Sequence, residues 1–160
     1  MHEYAHTQEY GPGNTVLAQA LREGTCDLVA ELVTGKTMPL PYMAYGPAHE
    51  AELKEQFKKE MFTPLISNWL YNQTSDKPNH VPDLGYYMGY TIGKFYYQHA
   101  TNKQGAVKEL LELDYTNEQA VEAFLAKTHY YSQPVDKLTL LQAYENHRPV
   151  VSHIFSSPFY

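Results

Sequence analysis

The chain has 160 residues, 43% of them apolar, with 18 acidic against 12 basic side chains and a net charge of −6. That length and composition suit one folded domain with a sizeable core and exclude an intrinsically disordered chain. The acidic balance, with no basic block, argues against a nucleic-acid partner, and no apolar run approaches the ~20 residues of a membrane helix.

Helical patterns dominate from the first residue. Residues 1–10 are expected to form a short helix, stopped by Gly11-Pro12-Gly13. Residues 15–34 follow as a longer helix with Leu17, Ala20, Leu21, Leu28 and Leu32 near one face, and Gly35 is its stop signal. The proline-rich stretch 38–47 reads as a loop, and residues 48–61 as a charged surface helix with a thin apolar stripe. A short apolar helix over 63–73 carries the one Trp, a loop follows over 74–82, and residues 83–99 form a Gly- and Tyr-rich helix. Residues 103–113 and 117–130 read as an antiparallel helix pair, with Thr116 and Gln119 at capping-box spacing. Residues 136–147 make a last helix, and 148–160 an extended tail. The expected fold is mainly α: a domain over 1–147 followed by the tail.

The chemistry is concentrated in the first two helices. His2 and His6 stand at i and i+4, so on a helix both imidazoles share one face, a turn apart. Two neutral imidazoles so placed can take two corners of a zinc tetrahedron. Glu3 sits one step around the helix, able to reach a water at the metal without ligating it, the place of a general base. Glu23, beyond the Gly-Pro-Gly turn, is the candidate third ligand. Asp27 follows it at i+4, where a carboxylate can take the second ring N–H of a ligand His. The competing reading is a tag-like His pair beside a solvated acidic face. It leaves unexplained why five polar residues fall at ligand spacing on consecutive helices.

These two motifs resemble those of the gluzincin metallopeptidases, the thermolysin-like clan. The resemblance implies His2, His6 and Glu23 as Zn2+ ligands, Glu3 as the base, Asp27 as the residue that orients a ligand His, and a peptide or protein as substrate. The stretches "REGTCDLVAELVTG", "HEAELKEQFKKEM…NWLYN" and "DLGYYMGYTIGKFYY" are similar to the C-terminal half of a narrower group, the zinc-dependent proteases related to a gliding-motility lipoprotein of bacteria. That group implies a bacterial cell-envelope or secreted location. Gluzincins place a β-sheet before the first motif, whereas here only Met1 precedes His2. The expectation is therefore the helical C-terminal half of a zincin-like domain, truncated at its N-terminus and with a fraying first helix.

Other residues are weighed against blander roles. Gly85, Gly89 and Gly93 at i, i+4 and i+8 make a smooth face, expected to pack against the Glu23 helix. Tyr86 and Tyr90 flank it, and either hydroxyl is a candidate donor to the oxyanion, with His129 as a lesser alternative. Most of the 15 tyrosines suit packing and groove lining. Glu31 is expected to face solvent or pair with Lys36, and Cys26, the single cysteine, to be a small buried side chain. Two functions stay open: a zinc metallopeptidase, or a helical binding or scaffold module that keeps a relic metal site. Glu3 separates them, since a relic has no need of a base between its histidines.

Overall fold

Among the described residues seven helices carry the fold: α1 (His2–His6), α2 (Val16–Thr34), α3 (Pro41–Glu60), α4 (Leu84–His99), α5 (Lys103–Glu112), α6 (Glu118–Thr128) and α7 (Lys137–His147), with a 3-10 turn at Ile66–Asn68. They belong to a computed structural model that describes residues 1–74 and 78–147. The mainly-α expectation holds: no strand occurs among the described residues, and no helix among them is long and apolar enough to cross a membrane. The extended tail expected over 148–160 lies outside the described residues.

Helix α2 is the axis. The Thr15 hydroxyl accepts from the Ala18 N–H at 3.2 Å, and Gly35 ends the helix in the left-handed region at φ 68°. Two more amide groups at the start of α2, those of Val16 and Leu17, donate to the carbonyls of Thr63 and Met61 at 3.0 and 2.7 Å. The chain after α3 thus closes the N-terminal end of α2. Burial runs nearly all round α2 from Val16 to Ala30, as befits a helix enclosed by others. Leu32, expected on the apolar face, is 39% exposed because the last turn emerges from the core.

Helix α4 crosses α2 at near backbone contact. A Cβ on Gly89 would lie 1.7 Å from the Ala20 carbonyl oxygen, and one on Gly24 would lie 2.0 Å from the Tyr90 nitrogen. Two facing glycines therefore permit the crossing, at the usual cost in helix propensity. The glycine face meets the Glu23 helix as expected, but its members differ. A Cβ on Gly85 would lie 2.7 Å from the Leu70 side chain, while one on Gly93 would make only ordinary contact, 3.5 Å from Leu28.

Several element boundaries depart from the sequence reading. Residues 41–47, expected as loop, are the first turns of α3, because Pro41 occupies the first helical position, where its missing N–H has no intrahelical partner to lose. Leu53 and Phe57, continued by the capping residue Met61, supply the buried stripe of the second half of that helix. The helix expected over 63–73 shrinks to the 3-10 turn. There the Trp69 carbonyl accepts from Gly85 and the Trp69 indole N–H donates to Glu60 at 2.9 Å, so its polar groups bond outward. Asn117, not Thr116, caps α6, accepting from the Ala120 N–H at 3.2 Å, while the Thr116 hydroxyl donates to Asp114. Helices α5 and α6 pack chiefly on α4 and α2, linked to each other by the Lys127–Glu109 ion pair.

Candidate metal centre

Helix α1 lies on α2 through the buried Ala5. It is five residues long, not the ten expected. After His6 the bonds tighten to the i→i+3 pattern, Thr7 N–H to Tyr4 and Gln8 N–H to Ala5, and the chain turns inward at Glu9. This places both imidazoles over Glu23.

Three acceptor atoms meet there. His2 Nε2 and His6 Nε2 are 3.0 Å apart, and Glu23 Oε2 is 3.3 Å from the first and 3.0 Å from the second. Each ring is held on its far side by a carboxylate. His2 Nδ1 donates to Asp27 Oδ1 at 2.8 Å, and His6 Nδ1 donates to Glu9 Oε2 at 2.9 Å. With Nδ1 carrying the proton in each ring, both Nε2 lone pairs point at each other and at a carboxylate oxygen. Such a triangle is repulsive unless a proton or a cation fills it. The corners of a zinc tetrahedron with bonds of about 2.0 Å lie about 3.3 Å apart, so the three atoms fit that ion.

The electrostatics report the same crowding. Burial opposes a charge on His2, but its bonds to Asp27 and Glu23 outweigh burial and raise it to about 9. Burial also opposes ionisation of Glu23, yet His2, Tyr71 and His6 lower it to about 2. A divalent cation in the triangle would compete with the proton on His2.

The outer contacts are dense. Asp27 Oδ2 accepts from the Tyr42 hydroxyl at 2.9 Å, and Glu23 Oε1 accepts from the Tyr71 hydroxyl at 2.7 Å and from Arg22 at 3.3 Å. The Glu9 carboxylate is fully enclosed, with the Arg22 Nε 3.4 Å away. The Cys26 thiol donates to Glu9 Oε1 at 3.4 Å and lies 3.3 Å from His6 Nδ1. His2, His6 and Cys26 also offer ligand atoms within 4.8 Å of one another. Cys26 nevertheless stands on the Nδ1 side of His6, away from the triangle. Burial and Glu9 push its thiol well above the ordinary range, which leaves it a protonated donor.

The remaining sequence candidates divide. Glu3 is exposed and lines a cleft of about 660 Å³ together with His2, Asp27, Tyr42 and Tyr86. The Tyr86 ring stacks near that of His2, with centroids 6.1 Å apart. Tyr90 is not brought to the cluster: its hydroxyl donates to Glu31 Oε2 at 2.5 Å, beside Lys94. Glu31 lies two turns along α2 from Glu23, about 12 Å away. It is partly exposed and does not pair with Lys36; its cation is Lys94, at 2.8 Å. His129 ends α6 in the left-handed region and lines a separate cavity with Phe62 and Tyr131.

Glu9, Arg22, Tyr42 and Tyr71 were missed by sequence reasoning. Glu9 offered a weak signal, a carboxylate three residues after the second His. Tyr71 offered none, since it reaches Glu23 across 48 residues from a left-handed position after the 3-10 turn. Comparisons with protein-family models, curated proteins and solved structures found no match to this chain.

Proposed function

We propose that this chain binds one Zn2+ through His2, His6 and Glu23 and hydrolyses peptide bonds with Glu3 as general base. The observation that carries the reading is the triangle of three acceptors 3.0 to 3.3 Å apart, with each imidazole fixed from behind by its own carboxylate. When bound, zinc would polarise a scissile carbonyl and acidify a water molecule. Glu3, on the wall of the cleft beside His2, takes that water's proton and returns it to the leaving amine. Asp27 and Glu9 keep the ligand rings in the tautomer with Nε2 inward. Tyr86 is the better placed of the two sequence-proposed tyrosines to donate to the developing oxyanion. The cell-envelope or secreted location rests on the family resemblance alone.

Metal analysis of the purified protein, combined with peptide hydrolysis, tests this. Glu3→Gln keeps size and loses basicity, so zinc content stays intact while hydrolysis falls by roughly 10²–10⁴. Glu23→Gln weakens a ligand and lowers both. Zinc retained without hydrolysis, and unaffected by Glu3→Gln, would make the chain a helical binding or scaffold module with a relic site. A protein that takes up no zinc sinks both readings.

A further inference from the structure

The cleft beside His2 holds a carboxylate that the proposed hydrolysis leaves unused. Glu3, Asp27 and Asp83 all line it, and among the described residues no Lys or Arg side chain does. Asp27 is committed to His2 and Tyr42 through its two oxygens, and Glu3 to the proton transfer. Asp83 is different. It is only 6% exposed; its Oδ2 accepts from Gln73 at 3.0 Å, and its N–H donates to Asn72 at 2.9 Å. Its Oδ1 is buried with no hydrogen-bond partner among the described residues. Asp83 immediately precedes α4, where an Asp ordinarily accepts from the first helix amides out of an extended backbone. Here the backbone is left-handed, φ 62°, and the side chain makes no cap bond. A buried carboxylate oxygen without a donor is costly, and a cation bearing N–H groups relieves both the charge and the missing bond. Much of the surrounding wall is apolar, with Ala30, Met38, Leu40 and Pro82, which suits the carbon stem of such a group.

We infer that Asp83 is a specificity residue that receives a positively charged group of the peptide substrate, an ammonium or a guanidinium, in the cleft beside His2. This rests on the peptide-hydrolysis reading. The group can be the α-ammonium of a free N-terminus or the side chain of Lys or Arg. In either case Asp83 touches substrate and not metal.

Equilibrium binding to the chelator-stripped chain tests it without turnover. The probes are tri-alanine amide with a free N-terminus, its N-acetylated form, and N-acetyl-Ala-Lys-Ala-amide. At least one cationic probe is expected to bind ten times or more tighter than the neutral one, and its identity tells the two sources apart. Asp83→Asn should abolish that preference while thermal unfolding stays cooperative. Should the variant not fold, the three-probe comparison on the unaltered chain decides alone. Equal binding of all three probes, no binding of any, or a preference that survives Asp83→Asn overturns the inference. Equal binding is also the result if an ordered water simply satisfies Oδ1. Zinc uptake measured on the same preparation reports separately on the metal reading. A chain that takes up no zinc yet keeps the cation preference breaks the hydrolysis reading and leaves the cation site at Asp83 standing.

Discussion

Glu23 and Glu31 sit on the same face of α2, eight residues apart, and each has a tyrosine of α4 nearby, Tyr86 and Tyr90 respectively. Their surroundings are opposite in kind. Glu31 accepts from three donors: Lys94 Nζ at 2.8 Å, the Tyr90 hydroxyl at 2.5 Å and the Thr37 hydroxyl at 2.9 Å. The cluster is complete, one cation for one anion. Around Glu23, Oε1 accepts from Tyr71 and Arg22, while Oε2 faces two imidazole nitrogens, and in the metal-free protein it is the proton held on His2 that offsets the carboxylate. One helix thus carries a Lys–Glu ion pair and, two turns away, two imidazoles converging on one carboxylate oxygen, an arrangement that a proton or a cation can hold together. A carboxylate stripe on a helix is therefore ambiguous until its partners are known.

Both clusters depend on the α2–α4 crossing, so the largest effect should come from breaking it. Gly89→Ala puts a methyl 1.7 Å from the Ala20 carbonyl oxygen, and backbone must move. Chemical denaturation should show a loss of about 3 kcal/mol or more. Gly93→Ala, with ordinary contact distances, should be neutral or stabilising by up to about 1 kcal/mol. Equal losses at the two positions would mean that the close crossing is not what the glycines serve.

Added zinc should separate the clusters directly. At a hundredfold excess over its dissociation constant, the ion should stabilise the protein by about 2.7 kcal/mol, seen as a rise in Tm. Glu23→Gln should remove most of that rise, and Glu31→Gln should leave it unchanged. The reverse pattern would assign the cation to the wrong end of α2.

A smaller effect should sharpen the difference within the Glu23 cluster. Glu9→Ala frees His6 Nδ1 and should weaken zinc affinity by about 10–100-fold, as Asp27→Ala should through His2. Competition with a chromophoric chelator measures both. An unchanged affinity in Glu9→Ala would reduce that residue to a counter-ion for Arg22.

The smallest effect belongs to the closed pair. Burial opposes ionisation of Glu31, but Lys94 and Tyr90 hold its carboxyl below the ordinary 4.5. Its contribution is therefore full above about pH 4.5 and is lost as pH falls through the depressed folded-state value. Lys94→Met should cost about 1 kcal/mol or less near neutral pH, because both side chains are partly exposed. The gap to the unaltered protein should close on acidification, as Glu31 takes its proton.

The sequence by itself determined the helical class, the extents of α2 and α4, and which ligand-type residues can share a helix face. Those follow from short-range physics. The 3.6-residue period places His2 with His6 and Glu23 with Asp27, and Gly35 stops α2 because it accepts a left-handed backbone. The tertiary structure decided everything that depends on which face meets which. It turned Glu9 under His6, drew Tyr71 to Glu23 from 48 residues away, and gave Tyr90 to Glu31 rather than to the histidines. It also extended α3 back through a proline-rich stretch, since burying Tyr42 and Met43 against the core outweighed a breaker signal. Tyr86 and Tyr90 are equivalent in sequence, one turn apart beside the same glycines. Only the crossing of α4 over α2, set by backbone contact at Gly24 and Gly89, sends one ring toward His2 and the other hydroxyl to Glu31.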